Sequence, residues 1–372
     1  MTADMDARDH SGQPTEPEEG ALSNGANFSE LARVFRRFGE VECHLIPSPL
    51  YEVFSLGIAA DAELLKLAAT SPAGQPPPNL IYAAVQYLLL RGVEHPLRQY
   101  YPSLSPAARS PAGAYEVFRD FCREHRAELE RLMLKRFVQT NVVRRSICLL
   151  PAFAVVSEAG GGRPLAQIDV GASAGLNLLW ERYRYSYDSE VTWGDPSSPV
   201  HLSTELRSQR VLPVIPASLH AGWSVGVDVN PVSPKDEDAV LWLRALVWPE
   251  NMELQSQLTA AIQVAREYPP EVKRGDASRI LPQLLRSVPP DMTLCVFATH
   301  ALHQFPRDAL VSVLKAMQKH SERRPVFFIS MEGTGDPHSE LKLTAYERGE
   351  RTSLDLANCH PHGHWLEWLY AG

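Results

Sequence analysis

From residue 164 onward, short apolar runs alternate with amphipathic ones, and few folds accommodate that alternation. "PLAQIDV", "WSVGVDV", "EVKRGDA", "MTLCVFA" and "PVFFISMEG" read as strands. Between them, "AGLNLLWERY", "DEDAVLWLRALVW", "ENMELQSQLTAAIQVAREY", "ASRILPQLLRSV" and "RDALVSVLKAMQKH" read as helices. Helical crossovers between strands predict a parallel, doubly wound α/β sheet. The ending is different. "ELKLTAYE" and "RTSLDLAN" flank "RGE", which predicts an antiparallel hairpin.

The chain before this region lacks strand alternation. Residues 28–157 read as an all-helical N-terminal domain, with "NFSELARVFRRFGE" and "AYEVFRDFCREHRAELERLMLKRF" as its clearest helices. "EAGGGRP" connects it to the α/β domain, residues 158–372. An insertion over about residues 184–222 interrupts that domain and is expected to form a flap or hairpin by the site. Residues 1–27 are acidic, polar and without an apolar h-region, so they read as a disordered tail and not a secretory signal.

Composition excludes several classes. The formal net charge of −8 argues against a sequence-independent grip on nucleic acid. No apolar run approaches the roughly 20 residues of a membrane span. The five cysteines are scattered and form no C-x-x-C pair, which suggests neither a disulfide framework nor a cysteine zinc site. A reducing cytoplasm is the expected location.

The first strand ends in "IDVGASAGLN", which admits two readings. Gly171-Ala172-Ser173-Ala174-Gly175 matches the G-x-S-x-G elbow of serine esterases, with Ser173 as nucleophile. That reading lacks an upstream HGGG-type oxyanion loop and the strands that precede an elbow. The other reading is a cofactor turn. A dinucleotide fingerprint fits poorly, because Leu176 would stand where the third glycine permits close helix packing. An S-adenosylmethionine site fits better. Asp169 ends the first strand near the cofactor's amino-acid part, Gly171 and Gly175 allow the sharp turn, and Ser173 is small. The following helix would aim its amides at the cofactor's carboxylate. Asp228 ends the second strand, where an acid can hold both ribose hydroxyls, and Asp276 in "RGDA" ends the third, within reach of the adenine. The insertion separates Gly171 from Asp228 by far more than the roughly 20 residues usual for such sites. Parallel strands closed by a hairpin are the Rossmann-like, methyltransferase-type sheet. A helix usual before that hairpin has no room in "GTGDPHSE".

The fourth strand leads into "THALHQF". Thr299, His300 and Gln304 lie at the carboxyl edge, where open α/β sheets bind ligands. His300 is the candidate general base. The (Asp/Asn)-Pro-Pro-aromatic motif of amino-group nucleic-acid methyltransferases is absent. "CHPHGHW" sets His360, His362 and His364 at alternating positions, which share a face if extended. No metal-binding spacing is recognisable, so His362 is read as substrate-pocket lining, with Trp193 and Asp195 of the insertion.

"IDVGASAGLNLLWERYRY", "WGDPSSPV", "GVDVNPV", "WLRALVWPE", "RGDA" and "PHGHWLEWL" together resemble the bacterial family called domain of unknown function 2332, over about residues 28–370. The resemblance implies a methyltransferase-like core and brings no catalytic residue. The leading expectation is a methyltransferase of a small molecule or protein side chain. Its alternatives are a non-catalytic or regulatory protein that retains the fold, and the esterase.

Overall fold

"PLAQIDV" and "MTLCVFA" hold one charged residue between them, and they become the buried centre of the sheet. The computed structural model describes residues 24–188, 191–208 and 210–371. Its strands are β1 (Leu165–Val170), β2 (Arg184–Tyr187), β3 (Val191–Gly194), β4 (His201–Leu206), β5 (Ala221–Asp228) and β6 (Val272–Arg274). β7 (Thr293–Thr299), β8 (Val326–Gly333), β9 (Ser339–Glu347), β10 (Glu350–Cys359) and β11 (Trp365–Trp368) follow. They order as β3-β2-β4-β11-β10-β9-β8-β7-β1-β5-β6.

The block from β8 through β7, β1 and β5 to β6 is parallel throughout. β1 is its pivot. The chain leaves β1 toward β5 and β6 on one side, then crosses back to β7 and β8 on the other. Such a reversal opens a crevice at the carboxyl ends of the two strands that flank it. The expected hairpin is present, β9 and β10 pairing from Glu347↔Glu350. Residues 334–338 are too few for a helical crossover, so β9 returns antiparallel beside β8 and β10 lies outside it.

The insertion does form a hairpin, β2–β3, but its strands extend the sheet, β4 pairing in parallel with β11. Its tyrosines turn inward. Tyr183 donates to the Leu176 carbonyl at 2.6 Å, Tyr185 to Trp180 at 2.7 Å and Tyr187 to Ile147 at 2.7 Å.

Two apolar clusters flank the sheet. Ile168, Val170, Val296 and Ala298 pack under the helices Ala277–Ser287 and Arg307–His320. On the other face, Leu165, Cys295 and Phe297 join a cluster that runs on through Phe54, Tyr82 and Phe118 of the helical region. Helix Ser146–Ala159, "SICLLPAFAVVSEA", is apolar all round and buried from Ser146 through Ser157. A helix of that pattern belongs in the interior, and here it packs against β4, β7 and β8. Ser48 binds that region to the α/β part, donating to Glu250 at 2.7 Å. Of the tail expected over residues 1–27, residues 1–23 fall outside the described residues, and residues 24–27 open the helix Asn24–Arg37.

Candidate functional site at the carboxyl edge of the sheet

After β1 the backbone turns through three left-handed residues: Gly171 (φ 83°), Ser173 (φ 52°) and Gly175 (φ 70°). Protein packing accounts for both glycines. A Cβ on Gly171 would lie 2.4 Å from the Ala301 Cβ, and one on Gly175 would lie 2.9 Å from Pro270 and Val272. Most of the turn's amides are bonded within the protein. Gly171 and Ala172 donate to the Val227 carbonyl, Gly175 to Ala172, and Leu176 to Asn141 Oδ1 at 3.3 Å.

The helix expected next is a correction. Leu176–Arg182 is a short 3₁₀ element with a non-helical Leu179. Leu176, Asn177, Leu178 and Trp180 are buried, and only Leu179, Glu181 and Arg182 reach solvent, too few for the polar face of a regular amphipathic helix. The regular helix expected to aim its amides at a cofactor is therefore not formed.

Asp169 lies on the face of β1 that carries Leu165, as alternation requires. It is 1% exposed, and its Oδ2 has no hydrogen-bond partner among the described residues. Burial, with the Asp228 carboxylate nearby, raises its pKa well above the ordinary carboxylate value. Asp228 is satisfied locally. Its Oδ2 accepts from the Ser173 amide and its Oδ1 from the Asn230 amide, both at 2.8 Å. Asp276 caps the helix Ala277–Ser287, accepting from the Ser278 amide at 2.8 Å.

Residues from a segment that sequence reading left unassigned complete this side. Gln139 donates to Ser173 Oγ at 3.3 Å and to the Asn230 carbonyl at 2.8 Å, and accepts from the Asn230 amide group at 2.8 Å. Ser146 donates to Asn177, whose amide donates to Thr299 Oγ1 at 3.4 Å. The available signal was "QTNVVRRS", a largely polar run set directly before the unbroken apolar run 147–156.

Across β7 lies a second polar group. His300 follows Thr299 with φ 51°, and its Nε2 shares a 2.9 Å hydrogen bond with Ser339 Oγ. Gln304 donates to the His300 carbonyl. Glu332 accepts from the Ala301 and Leu302 amides and pairs with His303. Arg145, 6% exposed, donates to the Pro361 and Thr299 carbonyls. Burial, with Arg145 close by, pushes His300 down to about 2 and His362 down to about 3. Both imidazoles are therefore neutral.

The condition for a shared histidine face, an extended backbone, is not met. Residues 361–364 form a turn between β10 and β11, with the Gly363 amide donating to the His360 carbonyl. Pro361 and Gly363 are turn formers, and they outweigh the alternation. His362 reaches the Arg145 group, whereas His364 contacts Arg144. Among the described residues no group of three or more His, Cys, Asp or Glu is placed to hold a metal ion. Trp193 and Asp195 lie apart from these groups. Trp193 stacks on Trp180 at 5.6 Å, and Asp195 closes an exposed turn onto Ser197.

The structure is thus an α/β protein whose mixed sheet carries two partly buried polar groups at its switch point, one on each side. The chain belongs to the family described as "Uncharacterized protein conserved in bacteria (DUF2332)", which it matches over residues 32–368. No curated protein matches the sequence. Among the described residues no helix is long and apolar enough to cross a membrane.

Proposed function

We propose that the chain binds S-adenosylmethionine at the β1–β5 side of the switch point and methylates a small molecule or protein side chain held at the β7–β8 side. One observation carries this reading: the buried Asp169 oxygen that no protein group satisfies. Buried polar atoms are nearly always hydrogen-bonded, and a cationic ammonium is the partner a buried carboxylate favours most. The cofactor's amino-acid part offers one. Asp228 retains acceptor capacity beyond its two amide bonds, because a carboxylate has about four lone-pair sites, so it remains the residue for the ribose. The parallel order β6-β5-β1-β7-β8 supports the Rossmann-like half of the reading.

When bound, the cofactor supplies an electrophilic methyl group. The protein's part is to orient and to exclude water. His300 suits positioning better than proton removal, since a base with a pKa of about 2 is far from the near-neutral value such work needs. Ser173 serves the turn. Its hydroxyl faces the Gln139 amide, where an esterase needs a histidine acceptor. One observation favours the non-catalytic alternative: Gln139 bridges the β1 and β5 turns with its own side chain.

Calorimetry with S-adenosylmethionine and S-adenosylhomocysteine tests the proposal. Both should bind the wild type, and Asp169→Asn should weaken each roughly 10- to 100-fold through one lost charge-assisted bond. Absence of binding by either compound would sink the reading.

A further inference from the structure

Two arginines stand side by side before the buried helix, and their environments differ. Arg144, 2% exposed, forms an ion pair with Glu253. Arg145 has no carboxylate within 4.0 Å among the described residues, and the groups its Nε and Nη1 reach are the carbonyls of Pro361, at 3.0 Å, and Thr299, at 3.5 Å. Carbonyl oxygens accept hydrogen bonds without neutralising a charge. Glu332, the carboxylate whose charge acts on Arg145, is engaged by two backbone amides and His303. Beside the guanidinium lies His362, whose Nδ1 is buried without a partner. Buried charges are ordinarily paired, so this one calls for a counterion from outside the chain.

We propose that Arg145, with the imidazoles of His362 and His300, forms a subsite for a carboxylate group of the substrate. The proposal rests on the reading above only in assigning that carboxylate to the methyl acceptor. The charge count favours a monoanion. One guanidinium between two neutral imidazoles is balanced by a single negative charge, while a phosphate dianion would leave a net charge in a buried place. The planar guanidinium fork matches a carboxylate in two-point geometry. A phosphodiester has the same charge, but its two ester arms need room on both sides of a group that is 6% exposed.

The test uses the full chain without cofactor. Acetate is titrated while the ring signals of His300 and His362, assigned with His300→Gln and His362→Gln, are followed by nuclear magnetic resonance. A saturable shift of both is expected, weakened roughly 10- to 100-fold by Arg145→Met and less by Arg145→Lys. Should Arg145→Met not fold, the wild-type titration still decides, because an acetate series without saturation overturns the subsite. Tighter binding of inorganic phosphate or dimethyl phosphate than of acetate overturns the carboxylate assignment. If Arg145→Met weakens S-adenosylhomocysteine as much as acetate, the carboxylate is the cofactor's own and the acceptor assignment falls. Failure of the cofactor calorimetry leaves the acetate result standing, so the two proposals can fail separately.

Discussion

Replacing Asp169 with Asn probes the central observation with no ligand present. The two side chains are nearly isosteric, and only Asp ionises. In the folded protein, burial first and the Asp228 charge second raise the Asp169 pKa. The unfolded chain releases that proton near pH ~3.9. Between the unfolded and folded values the native state binds more protons, so stability falls as pH rises, by up to about 1.4 kcal/mol per unit. Asn has no such slope. The two proteins should be equally stable near pH 4 and then diverge, with Asp169→Asn the more stable. Asn carries a similar cost as an unpartnered buried group, so the linkage alone sets the gap expected by pH 8, about 1.4 kcal/mol for each unit by which the folded pKa exceeds the unfolded one. Contributions from His300 and His362 are common to both proteins and cancel. Urea unfolding at each pH from 4 to 8 measures the difference. Equal or lower stability of Asp169→Asn at pH 8 would mean that Asp169 is satisfied within the protein, and the argument for a cationic ligand would be lost.

Asp228→Ala leaves the Ser173 and Asn230 amides without their acceptor. It should destabilise by about 1–3 kcal/mol in urea and also weaken S-adenosylhomocysteine binding, whereas unchanged affinity of the folded variant would remove the ribose role. Gly171→Ala meets both the φ of 83° and the Ala301 Cβ at 2.4 Å, so a loss of about 2–4 kcal/mol is expected in the same assay. A loss below about 1 kcal/mol would show that the turn relaxes freely. His300 and His362 are pushed down to about 2 and about 3, while an unfolded histidine titrates near pH ~6.5. The unfolded chain therefore takes up protons first, and stability should fall as pH drops below about 6.5, by up to about 1.4 kcal/mol per unit for each histidine. His362→Gln should make that fall shallower, and an unchanged slope would contradict the burial of its ring.

Sequence made the parallel strands and the hairpin legible because their signals are local. β1 and β7 are short runs buried on both faces, and such strands show as largely apolar residues, broken in β1 by Gln167 and Asp169. "GTGDPHSE" was too short for a helix, and the meander β8-β9-β10 is the consequence. Other elements depend on distant partners. β4 is a polar "HLSTEL" whose place is set by pairing with β11, more than a hundred residues on. Nothing in its own composition names that neighbour. The 3₁₀ element Leu176–Arg182 has a similar history. Its residues have helical propensity, but the left-handed Gly175 before it and the non-helical Leu179 within it keep it from a regular α-helix.

The site was half legible for a related reason. Acids at strand ends are visible in sequence, so Asp169, Asp228 and Asp276 could be named, but their hydrogen bonds could not. The bonds separate them sharply: Asp276 caps a helix, Asp228 holds two turns, and only Asp169 has an oxygen unsatisfied. Arg145 was indistinguishable from Arg144 until packing gave one a carboxylate and left the other with carbonyls. Stability alone explains neither exception. A buried ionisable group without a partner is destabilising, and an apolar residue in its place is often neutral or better. Asp169 and Arg145 also form no ion pair with each other, although opposite charges at one sheet edge could neutralise one another. The arrangement is consistent if each is completed by a different part of what binds there, a cation on the β1 side and an anion beyond β7. Departures from local satisfaction concentrate where a protein works, and in this chain the two clearest flank the switch point.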